Sequence, residues 1–454
     1  MSQVIKQSPN AENRLLNTEE LKNTVESVLA EAKAKGATHA EAGLSIETGL
    51  SVTVRMGEVE TVEHNRDRSF GLTVYFGQRK GSASTTDFSK QAVLDTVQAA
   101  CDIARYTEED KYAGLADIDR LATSYPDLEL SHPWELSTDA AIDIARQCED
   151  AALSVDKRIN NSEGGYLTTG TDYRIYANSH GFMGDYFSTR HSTGCTVIAS
   201  QGERMERDYW YSISRCPDQL EAPEQIGKKA AKRVLQRLGA TQIKTQRVPV
   251  VFQAEVARGL LGHFVRAVNG GAQYRHASFL LDKLGEKVFP ERIRIDERPH
   301  IKRAIGSAPF DNEGVANSEH DLVTDGILES YVLDSYAARR LGRETTGNAG
   351  GVHNLFISHD DKSLDELLKE MGTGILLTEV MGQGVNIVTG DYSRGGTGFW
   401  VENGEIQYPV EEFTLASNLA DMYKNLVLVG NDVDTRSSLC TGSWLINEMM
   451  IAGS

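Results

Sequence analysis

The feature that most constrains the fold is a short apolar strand that leads directly into an amphipathic helix near the middle of the chain. Residues 248–252 are rich in valine, end on a phenylalanine and have the pattern of a buried strand. Residues 253–268 then carry apolar side chains at helical spacing: Val256, Leu260, Phe264 and Ala267. We therefore predict a strand that passes straight into a helix.

The N-terminal half shows blocks of helical and strand-like periodicity. Helical spacing predicts four helices, which begin at an Asn17 and Glu20 capping box, at Asp87, at Asp139 and at Pro223. Period-two alternation predicts strands at 52–56 and 72–76 and a strand meander across 164–210. Helices and strands in blocks, rather than regular βαβ units, are typical of an α+β protein.

The C-terminal half is richer in turn signals. Asp325-Gly326 and Asn403-Gly404 each separate two extended segments, which is the signature of a two-residue hairpin. The predicted fold class is α+β, with an N-terminal mixed helix and antiparallel-sheet region and a strand-rich, barrel-like C-terminal domain. A chain of 454 residues exceeds the size of a single core. We predict domains at 1–245 and 246–454, with a further subdivision near the irregular stretch 112–133.

Composition excludes several function classes. The chain has 65 acidic and 47 basic residues, a formal charge of -18, which repels the phosphates of nucleic acids and anionic lipids. Five cysteines, an odd number without a CxxC pair, are typical of a reducing compartment. The N-terminus lacks the apolar core of a signal peptide, and no apolar run is long enough to span a membrane. We expect a cytoplasmic protein that binds neither nucleic acid nor membrane.

Four segments carry a resemblance to a known family. They are PFDNEGV at 309–315, DGILESYVLDSYAARRLG at 325–342, GDYSRGGTGFWVENGEIQYPV at 390–410 and VGND at 429–432. In this order, together with the strand and helix at 248–268, they resemble the PmbA branch of the TldD/PmbA family of cytoplasmic peptidase subunits. The resemblance extends over nearly the whole chain.

The resemblance also shows what the central helix lacks. In the TldD branch this helix opens with HExxxH, whose two imidazoles bind zinc and whose glutamate is the general base. Here Gln253 and Arg258 occupy the histidine positions and Ala254 occupies the glutamate position. A guanidinium stays protonated and cannot ligate zinc, so we expect no catalytic zinc and no cofactor on this chain.

One cysteine is a weak candidate for metal binding. Cys440 lies at about the position where the TldD branch places its third zinc ligand, a thiolate. A single thiolate does not make a catalytic zinc site, which needs about three protein ligands. The alternative is a buried structural thiol. Four candidate histidines of the C-terminal half, His263, His276, His353 and His359, include no i, i+4 ligand pair.

Two polar turns are candidates for ligand contact. The glycine-rich stretch 390–400 surrounds Asp391, Tyr392, Ser393 and Arg394, which could hold the amides and carboxylate of a peptide. The alternative is a tight structural loop in a barrel-like sheet. The run 311–314 could hold a cation, but it has too few ligands for a calcium loop, so we predict a β-turn.

The resemblance implies a subunit of a hetero-oligomeric TldD-PmbA-type metalloprotease that degrades unfolded peptides. A TldD-type homologous partner would hold the zinc, and this chain would be non-catalytic. The resemblance also allows a homodimer of this chain alone. Two alternatives remain open: a self-sufficient metallopeptidase with unrecognised ligands, and a regulatory binding protein without a part in proteolysis.

Overall fold

The computed structural model describes residues 17–453, so the leading segment 1–16 lies outside the described residues. The helices are α1 (Thr18–Ala34), α2 (Lys90–Tyr106), α3 (Thr138–Leu153), α4 (Pro223–Arg237), α5 (Ala254–Val268), α6 (Gly270–Tyr274), α7 (Ser335–Leu341), α8 (Leu364–Met371) and α9 (Leu419–Lys424). The strands are β1 (His39–Arg55), β2 (Glu58–Phe76), β3 (Arg79–Thr85), β4 (Ile159–Asn178), β5 (Met183–Gln201), β6 (Arg204–Ser214), β7 (Gln246–Phe252), β8 (Ile295–Glu297), β9 (His320–Thr324), β10 (Ile327–Leu328), β11 (Leu355–Ile357), β12 (Gly374–Met381), β13 (Asp391–Glu402), β14 (Glu405–Asn418), β15 (Leu426–Val429), β16 (Leu439–Cys440) and β17 (Trp444–Ala452).

The first six strands form one antiparallel sheet in the order β3-β2-β1-β4-β5-β6. Side chains alternate along β1, so that Ala42, Leu44 and Ile46 are buried against α1 and α2. The residues between them, such as Gly43 and Ser45, lie on the opposite face. Helices α3 and α4 cover the other half of the same apolar face. The sheet therefore has one helix-covered face and one polar face.

The predicted helix starts are confirmed with one correction. Asn17 caps α1 by accepting a hydrogen bond from the Glu20 amide at 3.2 Å. The second helix does not take its cap from Asp87. Ser89 caps α2 by accepting from the Ala92 amide at 3.4 Å, and Asp87 accepts from the Ser89 amide at 2.8 Å. The carboxylate thus fixes the capping serine instead of the helix itself.

The C-terminal region contains a closed five-stranded barrel, which confirms the predicted fold class. The strands follow the order β14-β13-β12-β7-β17, and pairing of β14 with β17 closes the ring. Strand β7 lies between the parallel β12 and the antiparallel β17. It passes into α5 through Gln253 alone, as the sequence predicts. Leu260 and Phe264 of α5 share one core with Phe252 and Trp444 of the barrel.

Both predicted two-residue hairpins are present. Asp325 and Gly326 have φ angles of 52° and 75° and join β9 to β10. Asn403 and Gly404 have φ angles of 52° and 78° and join β13 to β14. Positive φ at both central residues matches the right-handed twist of the flanking strands. Strands β9 and β10 belong to a second C-terminal sheet, of order β10-β9-β8-β11-β16.

The two halves of the chain are packed against each other. Helix α4 contacts β5 and β6 of the first sheet and also β14 of the barrel. The stretch 112–133 contains little regular structure beyond a short 3-10 turn at Ile118–Arg120. The predicted domain limits at 245 and near 112–133 stay predictions. Within residues 17–453, no helix is both long and apolar enough to cross a bilayer.

Gly227 tests the packing of α4 against α3, which helps to hold α4 between the two halves of the chain. A Cβ at this position would lie 2.1 Å from the carbonyl oxygen of Cys148 in α3. We expect Gly227→Ala to destabilise the protein by about 1–3 kcal/mol through overpacking. The matched helical glycine Gly259 has open space around it, so Gly259→Ala should be neutral or stabilising by up to about 1 kcal/mol. Thermal unfolding of both variants, followed by circular dichroism, checks the difference; equal midpoints would contradict it.

Candidate functional site

The first turn of α5 is fixed by the barrel. The Gln253 amide donates to the Leu377 carbonyl of β12 at 3.0 Å. The Ala254 amide donates to the Ser443 hydroxyl at 3.0 Å, and Asp432 accepts from that hydroxyl at 2.6 Å. Asp432 ends the VGND segment, so this segment anchors the start of α5 through a serine. The side chain of Ala254 supplies no general base at this position.

Arg258 faces a carboxylate and not a metal ligand set. Its Nη1 lies 3.6 Å from Asp434 Oδ2, and Asp434 also accepts from Arg436 Nε at 2.9 Å. Burial by itself would raise the pKa of Asp434. The hydrogen bonds from Arg436 and the charge of Arg258 outweigh burial and hold that pKa below its usual value. Asp434 is therefore ionised and already paired with two guanidinium groups.

Cys440 lies beside this pair as a neutral thiol. It is 3% exposed, and its Sγ donates to the Ser437 carbonyl at 3.4 Å. Burial, with a smaller effect from the charge of Asp434, raises the pKa of the thiol to about 12. Zinc binds the thiolate, which is scarcely populated at neutral pH at such a pKa.

The donors at the start of α5 do not fit a catalytic zinc. The side chains present are the amide of Gln253, the methyl group of Ala254, the paired guanidinium of Arg258 and the neutral thiol of Cys440, and none of them is an imidazole, a carboxylate or a thiolate. No group of three His, Cys, Asp or Glu side chains in residues 17–453 is arranged to hold a metal ion. We derive no catalytic step through zinc on this chain.

An extended network of ion pairs surrounds the start of α5. Nine side chains form it: Glu206 and Asp208 of β6, Arg233 and Arg237 of α4, Glu255 and Arg258 of α5, Glu379 of β12, and Asp434 and Arg436 of the segment before β16. We call it the junction network. Glu255 is its centre, 3.2 Å from Arg233 Nη2 and 2.9 Å from Arg436 Nη2. The network joins the edge of the N-terminal sheet to the barrel.

Arg436 is also held by aromatic rings. Its guanidinium carbon lies 4.3 Å from the centroid of the Trp210 ring and 4.6 Å from that of Tyr211. Its Nη1 donates to the Tyr211 carbonyl at 3.1 Å. A planar guanidinium can stack on a ring and donate at its edge at the same time, which a lysine cannot do.

The glycine-rich stretch 390–400 divides its polar residues between surface and core. Asp391 and Ser393 are exposed, and Arg394 is half-buried with its Nε donating to the Met381 carbonyl at 3.0 Å. Tyr392 is only 3% exposed. Its ring lies edge-on to Phe252 and His263, with centroids 6.4 and 6.2 Å away. Tyr392 is thus a core residue with almost no surface for a peptide, and a peptide contact by the other three residues stays a prediction.

The histidines of the C-terminal half are dispersed. His263 packs on Tyr392, and burial lowers its pKa to about 4, helped by the charges of Arg266 and Arg394. His353 Nδ1 donates to Glu297 Oε1 at 2.9 Å. His276 and His359 are exposed elsewhere.

Asp311 confirms the prediction of a turn at 311–314. Its carboxylate accepts from the amides of Glu313, Val315 and Ala349, each at 2.9 Å, and the Gly314 amide donates to the Asp311 carbonyl at 3.1 Å. Burial raises the pKa of this carboxyl to about 6, against the effect of those hydrogen bonds. The carboxylate is fully used in fixing the chain, which leaves no free oxygen pair for a cation.

The structure shows a groove that the sequence did not reveal. Its floor is the polar face of the N-terminal sheet, and its wall is the segment 305–313. Three cavities of 780, 600 and 320 Å³ follow one another along it. The first two share Gly43, Gly71 and Asn312, and the last two share Glu47 and Asp172. We call this continuous depression the polar groove.

One end of the polar groove is acidic. The 780 Å³ cavity is lined by the carboxyl groups of Glu41, Glu108, Asp110 and Glu313 and by one lysine, Lys80. Glu41 accepts from the hydroxyls of Tyr75 and Tyr176 at 2.9 and 2.7 Å. Burial, opposed by the hydrogen bond from Ser335 and aided by the charge of Asp311, raises the pKa of Glu313 to about 7.

A sequence signal for the groove exists but is incomplete. Alternate positions of β1 are small or polar: Glu41, Gly43, Ser45, Glu47 and Gly49. This pattern predicts a strand with one polar face. It cannot show that residues 305–313, more than 250 positions away along the chain, cover that face and turn it into a groove.

Glu255 is the best residue at which to test the junction network. We expect Glu255→Ala to leave two half-buried guanidinium groups without their shared partner and to destabilise the protein by about 3 kcal/mol. Glu448→Ala is the control, because the pair of Glu448 with Arg247 is 3.0 Å long but exposed, and its loss should cost less than about 1 kcal/mol. Chemical denaturation at low and high salt measures both; similar losses in the two variants would rule out a structural role for the network.

The sequence of this chain matches known proteins over most of its length. Three family profiles match: PmbA/TldA metallopeptidase domain 1 at residues 40–104, the central domain at 131–238 and the C-terminal domain at 245–453. The chain is 52% identical over 425 residues to the metalloprotease PmbA of Escherichia coli O157:H7, covering 94% of each sequence. It is 47% identical over 437 residues to a metalloprotease PmbA homolog of Haemophilus influenzae, covering 96% of this chain and 97% of that one.

Solved structures show the same fold. A protein of Bacteroides thetaiotaomicron, described as a putative modulator of DNA gyrase, superposes with a TM-score of 0.91 at 30% identity, covering 97% of this chain and all of that one. TldE from Thermococcus kodakarensis superposes with a TM-score of 0.83 at 20% identity, covering 95% of this chain and all of that one. At that identity the second likeness shows the fold alone.

Proposed function

Because the chain belongs to the PmbA branch of the TldD/PmbA family, we propose that it is the zinc-free subunit of a cytoplasmic metalloprotease that degrades unfolded peptides. A homologous TldD-type partner would carry the catalytic zinc. This chain would complete the assembly and help to hold the substrate.

The Arg258 and Asp434 pair is the observation that carries the proposal. A guanidinium cannot lose its proton at neutral pH, and its charge at a ligand position repels a metal cation. The carboxylate nearest to it is already paired, and the neighbouring Cys440 is a neutral thiol. Both features support a subunit that depends on another chain for the metal.

Two other functions give different results in the same experiment. A self-sufficient metallopeptidase would cleave peptides without a partner and would lose activity with a chelator. A regulatory binding protein would leave cleavage by a TldD-type protein unchanged. The description of the Bacteroides thetaiotaomicron protein as a putative modulator of DNA gyrase is an example of such a function. A zinc-free subunit is inactive alone and raises the activity of the partner.

Metal content and cleavage provide the direct test. We expect the purified chain to contain far less than one zinc per chain and to leave a fluorogenic unfolded peptide intact. Adding a TldD-type protein from the same cells should give chelator-sensitive cleavage. Elemental analysis and fluorescence measure the two quantities. About one zinc per chain that is lost in Cys440→Ala, or cleavage without a partner, would contradict the proposal.

Arg394 tests the predicted peptide contact. Arg394→Ala removes one hydrogen bond to a backbone carbonyl at the surface, so the stability should fall by no more than about 1 kcal/mol. Turnover by the mixed complex should decrease clearly if the guanidinium contacts substrate. Arg247→Ala is the control, since the side chain of this β7 arginine is exposed and, within residues 17–453, pairs with Glu448 alone. A large drop in melting temperature, or unaltered turnover, would show that Arg394 is structural or uninvolved.

A further inference from the structure

We propose that the polar groove binds an unfolded peptide in an extended conformation, with the amino terminus of the peptide at the acidic end and its carboxyl terminus towards Arg190. The inference rests on the proposed function for the class of ligand. It adds a binding site on this chain and a direction for the bound peptide.

The dimensions of the groove suit an extended chain. Its floor follows β1 from Glu41 to Gly49, a run of about 26 Å at the rise of a β-strand. A peptide of about eight residues has that length when extended. All three cavities are partly open to solvent, so a chain can reach the floor without threading through a closed channel.

The floor recognises a backbone better than side chains. Gly43 of β1 lies opposite Gly71 of β2, and Ser45 lies opposite Ser69. Gly49 lies opposite Gly170 of β4. With no large side chain at these positions, a peptide backbone can approach the sheet closely.

Free hydroxyl groups supply hydrogen bonds along the floor. Ser45 and Ser69 line the 600 Å³ cavity and Ser188 lines the 320 Å³ cavity, and their hydroxyls form no hydrogen bond with residues 17–453. A hydroxyl can donate to a peptide carbonyl or accept from a peptide amide. Such contacts depend little on sequence, as a site for unfolded chains requires.

Arg174 marks the point where floor and wall meet. Its Nη2 donates to Asn312 Oδ1 at 3.2 Å across the groove. Both side chains are near solvent, so a peptide carbonyl can replace the amide oxygen as the acceptor. The peptide would then take a hydrogen bond at the centre of the groove.

The charges along the groove give the peptide its direction. The acidic end has four carboxyl groups against Lys80. At the other end, Arg190 and Arg215 balance Glu47 and Asp172. A free amino terminus is attracted to the first end, and a free carboxylate is attracted at the second end to Arg190, whose side chain pairs with no carboxylate of residues 17–453. The acidic end also repels polyanions, which excludes a nucleic acid strand as the occupant.

Two exposed residues allow the direction to be tested without disturbing the fold. Glu108 lines the acidic end and Arg190 lines the other, and neither forms a hydrogen bond or ion pair with residues 17–453. Glu108→Lys and Arg190→Glu reverse the charge at one end each. Glu26→Lys on α1 and Lys228→Glu on α4 are matched controls, exposed and equally unpaired with the described residues.

Calorimetric titration of the intact chain with a peptide of about eight Gly, Ser, Ala and Thr residues measures binding. The peptide is used with free ends, with an acetylated amino terminus and with an amidated carboxyl terminus. We expect each modification to weaken binding to the unaltered chain about fivefold. Glu108→Lys should lose only the effect of acetylation, and Arg190→Glu only the effect of amidation. Both controls should behave as the unaltered chain does.

Ser45→Trp tests whether the peptide binds in the polar groove or elsewhere on the charged surface. An indole on the floor fills the central cavity, so all three peptides should bind at least about tenfold more weakly while the melting temperature changes little. Unchanged binding in Ser45→Trp, equal effects of both end modifications in every variant, or no binding to the unaltered chain would overturn the inference.

The cleavage assay distinguishes this failure from failure of the proposed function. If the mixed complex cleaves peptides at the same rate with Ser45→Trp as with the unaltered chain, the groove is not on the path of the substrate and the proposed function stands. If the groove binds peptides but no TldD-type protein gains activity from the chain, the proposed function fails and the groove remains a peptide site.

Discussion

The junction network is the interaction on which the rest of the structure depends. Glu255 and Arg258 belong to the first turns of α5, and the network ties them to Arg233 of α4 and to Arg436 before β16. Ion pairs this far from solvent stabilise a structure only when every charge has a partner. The network meets that condition across two sheets and a barrel, so it fixes how the N-terminal sheet is placed against the C-terminal region.

That placement also determines the polar groove. The floor belongs to the N-terminal sheet and the wall to segment 305–313 of the C-terminal region. The width of the groove therefore depends on how the sheet is placed against that region. Arg215 contributes at this boundary, because it donates from β6's end to the carbonyls of Ala304 and Ile305 at 2.9 and 2.8 Å. Ion pairs at the start of α5 and an open polar groove both support the proposal of one subunit that positions substrate for another.

Much of the fold could be predicted because the signals are local. Gln253 separates a strand from a helix, Asn403 and Gly404 adopt the positive φ angles of a two-residue hairpin, and alternation along β1 separates two faces. The candidate site was predicted less well. Tyr392 looked like a polar loop residue, yet it packs on Phe252 and His263 because β13 turns that position into the barrel. Asp87 looked like a helix cap, yet the nearby Ser89 has that role.

The sequence by itself determined the α+β class, the family and the presence of Gln253, Ala254 and Arg258 at the positions where the TldD branch has the two histidines and the glutamate of HExxxH. These depend on residue identity and on periodicity over a few turns of chain. Only the tertiary structure decided the surroundings of these side chains and of the other candidate residues. Arg258 became one member of a nine-residue network, Cys440 became a buried neutral thiol, and a polar strand face became a groove under a distant segment. The physical reason is that charge pairing, burial and enclosure are set by residues far apart in sequence, which only the folded chain brings together.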